Sequence, residues 1–283
     1  MSVPEFRKWP DLRKLVARIA AFALAGSVWF SGCAEEGGPS PEPEWQPSEG
    51  PISIDLDWER FDRKARFALR QDDYQGAIEL LHRACDLRPQ HAPGWDLLGS
   101  AYTLAGRPGI GARLFEKAIA IDPDQAIFFV HLGKSLMDLT DYEGARAAYQ
   151  KALEDGAQSA KVHFDLGMVA ERQDRLRDAI GHFEDAIGVN ANFADPYYWL
   201  GTAHEKLGDG TVAANWFEKA LELNPGHMGS HYGLGLLYLR GDRPDAGREH
   251  METFQRLRDE RLARDERVRE RERDRERDRL ASP

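Results

Sequence analysis

Large apolar, small and polar positions return at one fixed interval along most of this chain. The dipeptide Leu-Gly stands at Leu98/Gly99, Leu132/Gly133, Leu166/Gly167, Leu200/Gly201 and Leu234/Gly235, with no insertion or deletion between copies. One file of small residues runs in register through Ala77, Gly111, Ala145, Ala179, Ala213 and Gly247, and a second through Ala84, Ala118, Ala152, Ala186 and Ala220. An aromatic file, Phe115, Tyr149, Phe183 and Phe217, is flanked by Leu81 and Met251. Two antiparallel helices approach closely only where side chains are small. Each unit is therefore expected to put glycine or alanine where helix meets helix and an aromatic in the remaining gap. Pro89, Pro123 and Pro225 fall in the turn before a new unit, where a missing backbone donor does least harm. Ala157 and Ala191 take that place in two units, so Gly156 and Asn190 are expected to set those turns.

The copies are 34 residues apart, and frames of that length give six units, 58–91, 92–125, 126–159, 160–193, 194–227 and 228–261. The outer two depart from the pattern: Lys64 and Ala65 replace Leu-Gly, and Phe254 replaces an alanine, as expected of ends that face water. One unit reads Trp95, Leu98, Gly99, Tyr102, Gly111, Phe115 and Pro123, and this resembles the tetratricopeptide repeat (TPR) family. The resemblance implies an all-α, right-handed superhelical solenoid of about six helix-turn-helix repeats over residues 58–254. No unit buries its apolar face alone, so stability is expected from contacts between neighbours summed along the stack.

The resemblance also implies that the first helix of each unit lines a concave face through its second, fifth, ninth, twelfth and thirteenth positions. The fifth positions here are Asp62, Asp96, Val130, Phe164, Tyr198 and Tyr232, and the ninth are Arg66, Ser100, Lys134, Met168, Thr202 and Leu236. These files turn apolar from the third unit onward. Val130, Lys134, Phe164, Met168, Tyr198, Thr202, Tyr232 and Leu236 are the expected partner-binding groove, rimmed by Asp138, Glu171, Arg172, Glu205, Lys206 and Arg240. Such a groove suits an extended peptide or an amphipathic helix. The alternative is that these side chains pack on neighbouring helices or under the carboxy-terminal helix. Chaperone-binding TPR domains carry asparagine at the ninth position; no ninth position here is asparagine, so a carboxylate clamp is disfavoured.

The ends differ from the repeats. Arg7, Lys8, Arg13, Lys14 and Arg18 precede an uncharged run, Ile19 to Phe30, followed by Ser31, Gly32 and Cys33. This order reads as an export signal. Twelve apolar residues make a helix of ~18 Å, short of the ~30 Å hydrocarbon core. Ser31-Gly32-Cys33 resembles a bacterial lipobox, which implies cleavage after residue 32 and a lipid on Cys33; Phe30 departs from the usual leucine. The alternatives are an uncleaved anchor and an apolar amino terminus without export. Residues 34–57 hold Pro39, Pro41, Pro43, Pro47 and Pro51 and are expected to form a linker, reaching up to ~70 Å in polyproline geometry. Residues 255–283 form an Arg/Glu-rich segment, expected as a solvated helix supported by pairs three apart such as Arg269 with Glu272. A basic arm for anionic lipid or nucleic acid and a coiled-coil contact are the other readings; near-balanced charge weakens the first, and the missing apolar heptad weakens the second.

Composition narrows the function class. The net charge is −10, with +3 on residues 1–33 and +2 on 256–279, which leaves −15 on residues 34–255. An acidic body argues against nucleic acid as a partner. Cys33 and Cys85 are the two cysteines. With Cys33 acylated no internal disulfide is possible, and Cys85 beside Ala84 is expected to be a buried apolar residue. His163 and His231 occupy an aromatic position of the frame, and His204 a tyrosine position, so they are expected to pack. His227 and His231 have the i, i+4 spacing of metal ligands, but nothing nearby completes a set. The glycines are explained by helix packing, leaving no phosphate loop or nucleophile elbow. No catalytic residue, metal, cofactor or small-molecule substrate is expected. The expected protein is a non-enzymatic scaffold in the bacterial cell envelope, lipid-anchored at Cys33. The absence of aspartate after Cys33 favours the outer membrane, facing the periplasm. The layout also resembles lipoproteins that help assemble the type IV pilus secretin, and a role docking peptidoglycan hydrolases is compatible with it; the alternative from another class is a cytosolic or inner-membrane assembly factor with an uncleaved anchor.

Overall fold

A computed structural model describes residues 54–281. The expected export signal, Cys33 and linker residues 34–53 lie outside the described residues. Among the described residues there are twelve helices and no strand: α1 (Ile54–Arg70), α2 (Tyr74–Leu87), α3 (Ala92–Leu104), α4 (Pro108–Ile121), α5 (Ala126–Asp138), α6 (Tyr142–Glu154), α7 (Ala160–Arg172), α8 (Leu176–Val189), α9 (Ala194–Lys206), α10 (Gly210–Leu223), α11 (Met228–Arg240) and α12 (Pro244–Ala281). The all-α class expected from the repeat is what the chain adopts. Helix α1 starts ahead of the frame boundary at 58, since nothing after Pro51 breaks a helix.

The turn inside each of the first five units follows from a recurrent backbone state. Asp72, Gly106, Thr140, Asp174 and Gly208 all have positive φ, between 57° and 89°, and stand one repeat apart from each other. Each closes the preceding helix with a left-handed residue, and the next amide reaches back to a carbonyl near the helix end, as in Arg107 to Tyr102, Asp141 to Leu136 and Arg175 to Ala170. Asp73 and Asp141 then cap the following helix by accepting from the amides of Gly76 and Gly144. Gly156, with φ +94°, sets one of the two turns that lack proline, and the Asn190 carboxamide accepts from the Asn192 amide in the other. Thr140, at φ 61°, is β-branched in a conformation that costs ~1–2 kcal/mol outside glycine. Thr140→Gly is expected to stabilise the fold by about 0.5–1 kcal/mol after glycine's greater unfolded-state freedom is subtracted. A urea midpoint that rises checks this; one that falls refutes it.

The described residues divide into two compact units, one up to residue 155 and one from residue 156. In the first, the pairs α1/α2, α3/α4 and α5/α6 each pack internally, and α2 with α3 and α4 with α5 join successive repeats. In the second, α7/α8, α9/α10 and α11/α12 are the pairs, joined by α8 with α9 and α10 with α11. The Leu-Gly glycine has a clear structural cause in both. A Cβ on Gly99 would lie 2.8 Å from the Phe115 ring, on Gly133 2.8 Å from Tyr149, on Gly167 2.4 Å from Phe183 and on Gly201 2.6 Å from Phe217. The glycine is the slot in which the aromatic of its own hairpin is seated. Phe115, Tyr149, Phe183 and Phe217 are accordingly buried, and so is the alanine file at Ala84, Ala118, Ala152, Ala186 and Ala220. Cys85 is buried and unoxidised, and burial pushes its thiol up to about 12.

In α12 the second helix of the last repeat and the charged tail form one continuous 38-residue helix. It is ~57 Å long at helical rise. From Arg258 outward the described side chains are exposed, Leu262 and Val268 included. Arg256–Glu260 and Arg277–Asp274 are ion pairs along it. No helix among the described residues is long and apolar enough to cross a membrane.

Candidate functional site

The expected groove residues fall on the first helix of each hairpin. In the first compact unit, α5 carries Val130, half-buried, and Lys134, exposed. The fifth position of α3, Asp96, meets Nδ1 of His131 on α5 at 2.6 Å, so adjacent first helices of this unit are tied by a side-chain hydrogen bond.

In the second compact unit, α7 carries Phe164 and Met168, α9 carries Tyr198 and Thr202, and α11 carries Tyr232 and Leu236. Their surroundings differ. Phe164 is only 9% exposed and belongs to the core: its ring lies 5.7 Å from that of Phe183 and 5.2 Å from that of Phe193. Placing Phe164 on an open groove wall is therefore corrected, because Phe193, the residue that precedes α9, folds over it. Tyr198 is half-buried by the same device, with His227 ahead of α11 at 4.8 Å and Phe217 at 5.7 Å. Thr202 turns its hydroxyl back to the Tyr198 carbonyl at 3.1 Å, and Met168 and Leu236 are half-buried. Tyr232 is 44% exposed, with one flank against Phe254 at 5.2 Å. The open apolar part of the second unit's face is thus centred on Tyr232.

Four of the six rim charges are paired between successive first helices. Lys206 of α9 donates to Glu171 of α7 at 2.5 Å, and Arg240 of α11 lies 3.9 Å from Glu205 of α9. The two contacts occupy equivalent places one repeat apart, and each pair is neutral, so these four groups contribute little long-range attraction for a charged segment.

The histidines show two uses. His227 does not act as a ligand with His231: its Nδ1 accepts from the Ser230 amide at 3.1 Å and caps α11, while His231 Nε2 donates to the Pro225 carbonyl at 3.0 Å. His231 and His250 bring their Nδ1 atoms to 3.0 Å. Burial lowers His227, opposed by Asp195, and lowers His250, reinforced by His231. Tyr238 donates to Glu218 at 2.6 Å and is pushed up to about 12, first by burial and then by that bond. His163 of α7 faces His182 and Asp185 of α8, with its Nδ1 3.7 Å from the Asp185 carboxylate. This grouping was not legible from the frame, which assigns His163 to packing.

The tetratricopeptide repeat profile matches residues 63–126, 130–198, 165–227 and 198–260. The chain belongs to the tetratricopeptide repeat family. Anaphase-promoting complex subunit 3 of Schizosaccharomyces pombe is 22% identical over 145 residues, covering 51% of this chain and 22% of its own length. Superkiller complex protein 3 of Homo sapiens is 29% identical over 174 residues, covering 57% of this chain and 11% of its own. The chain thus matches less than a quarter of the length of these relatives. Among solved structures, Pseudomonas aeruginosa PilF is similar with a TM-score of 0.64 at 18% identity, covering 73% of this chain and 94% of that one. MamA of Desulfovibrio magneticus RS-1 gives 0.58 at 16% identity, covering 62% and 99%. These likenesses show the fold. As a TPR protein, the chain is a scaffold for protein–protein interaction.

Proposed function

We propose that this protein is a lipid-anchored, non-enzymatic TPR adaptor of the bacterial cell envelope that holds a polypeptide segment against α9 and α11. The observation that carries the binding surface is Tyr232, a large aromatic left open on the face where its counterparts Phe164 and Tyr198 are covered. A tyrosine supplies contact area at low entropy cost and is a frequent anchor of binding energy. The anchor rests on Ser31-Gly32-Cys33 after an uncharged run, and the proline-rich stretch that follows gives the repeats reach from the membrane. The lipobox ahead of six TPR units supports a narrower reading as well, an assembly lipoprotein of the type IV pilus secretin.

One pair of variants tests both parts. Tyr232→Asp is expected to keep the helical circular dichroism and lose the partner recovered by crosslinking from native envelopes; undiminished recovery defeats the surface. Cys33→Ser is expected to release the protein from membranes or stall its processing. Processed, membrane-bound Cys33→Ser protein would rule out the lipid.

A further inference from the structure

The fourth and twenty-sixth positions of the repeat frame face each other across a hairpin. In three repeats they hold an aromatic ring and a cation: Phe61 with Arg83 at 5.8 Å, Trp95 with Lys117 at 3.2 Å and Phe129 with Lys151 at 5.5 Å. In the fifth, Lys219 lies 4.6 Å over Trp216, whose ring meets Tyr197 at 6.0 Å. The fourth repeat changes all of this together. The ring becomes His163, the cation becomes Asp185, and the twenty-third position, on the same face of α8 as Asp185, becomes His182.

One donor atom from each of His163, His182 and Asp185 lies within 4.8 Å of the others. Nδ1 of His163 is 3.7 Å and Nδ1 of His182 4.0 Å from the same carboxylate oxygen of Asp185. The His163 nitrogen is buried and makes no hydrogen bond. A buried, unsatisfied imidazole nitrogen is costly, and here it points at a second imidazole and a carboxylate. We propose that His163, His182 and Asp185 bind one divalent transition metal of the zinc class. Two imidazoles and one carboxylate are the donor set of zinc and its neighbours, whereas calcium and magnesium take six or more oxygens. Tetrahedral bonds of about 2.0–2.1 Å place donors ~3.3 Å apart, so closure needs side-chain shifts on the order of an ångström. Asp185 can supply much of this, since its side chain is 61% exposed. With three protein ligands the fourth position stays open to water or to a side chain of the bound partner. The metal would pin α7 to α8.

The sixth repeat is the internal comparison. His231 and His250 stand at the same two positions, but Thr253 takes the place of Asp185 and bonds to the Glu249 carbonyl, while His231 Nε2 meets the Pro225 carbonyl. That pair lacks a third ligand.

The test uses the full chain, purified in mild detergent without a histidine tag. Titration with ZnCl2 by calorimetry, and with CoCl2 by visible absorption, is expected to show saturable one-to-one binding with the d–d bands of a tetrahedral ion. His182→Ala and Asp185→Asn should each weaken binding by about tenfold or more, because losing even an outer-sphere partner costs about 10- to 100-fold. His163→Phe restores the ring found in other repeats and should abolish binding with the fold intact. His231→Phe should bind as wild type. Absence of saturable binding, equal binding by His163→Phe, or loss in His231→Phe instead would each overturn the site. Asp185 is exposed, so Asp185→Asn keeps the question open to decision if a histidine variant misfolds.

Discussion

Phe164→Asp is expected to destabilise the protein by about 4 kcal/mol or more, a large part of the stability of a typical domain. Two costs add. Truncating a buried phenylalanine removes contacts with Phe183 and Phe193 and leaves a void, ~3–5 kcal/mol for removal down to alanine. A carboxylate in the same place must also be stripped of water or protonated, which costs several kcal/mol more when no cation compensates. Lys161, whose amine lies 5.2 Å from the ring centroid, is already bonded to Asp165. Urea denaturation followed by far-ultraviolet circular dichroism reads the effect, with Phe164→Leu as the mild control. An unchanged midpoint for Phe164→Asp would mean that the ring is open to solvent and belongs to the groove wall after all. Phe164→Asp is for this reason a poor probe of binding, and Tyr232→Asp, on an exposed ring, is the sound one.

The contrast between Phe164 and Tyr232 shows where the frame is informative and where it stops. The register of Leu-Gly, alanine and aromatic residues names the core directly, because it encodes contacts inside one hairpin: Gly167 with Phe183 recurs as Gly201 with Phe217. The groove is different. In the second unit, whether a fifth-position side chain is open depends on the residue just ahead of the next first helix, Phe193 or His227, and that position varies along the sequence. Phe193 covers Phe164 and His227 covers Tyr198, while Tyr232 meets Phe254 from α12 instead. Both halves of each contact are visible in the sequence, but their pairing across a whole hairpin is a property of the hairpin's geometry. The same holds for His163: alone it reads as one more ring in an aromatic file. The signal that could have found the cluster is the joint replacement of ring and lysine by histidine and aspartate in a single repeat.

Two of the glycines expected to serve helix packing do not: a Cβ on Gly106 or Gly208 would meet nothing within 4 Å, and both are left-handed. Gly106 and Gly208 announce a helix end, but Asp72, Thr140 and Asp174 hold the same conformation without glycine's signature. What forces it on them is the fixed period of the repeat and the carbonyl-capping bonds that close the first helix of the first five repeats, so the register of the neighbours overrides the local preference of a threonine.

The second large effect is expected at the aromatic seat of the fourth repeat. Phe183 is fully buried, stacks with Trp199 at 6.4 Å and packs with Leu200 of the following repeat. Phe183→Ala should cost ~3–5 kcal/mol, since its loss empties the hairpin and weakens the contact with the next repeat at once. Gly167→Ala should destabilise by ~1–3 kcal/mol on its own, because the added methyl would stand 2.4 Å from the Phe183 ring. In the Phe183→Ala background the obstacle is gone, and the same Gly167→Ala change should become stabilising by up to ~1 kcal/mol from helix propensity and partial filling of the void. The sign of the Gly167→Ala effect therefore reverses with residue 183, and a double-mutant cycle in urea measures it. Additive effects would show that the glycine is there for a reason other than the ring, and the same explanation for Gly99, Gly133 and Gly201 would fail with it.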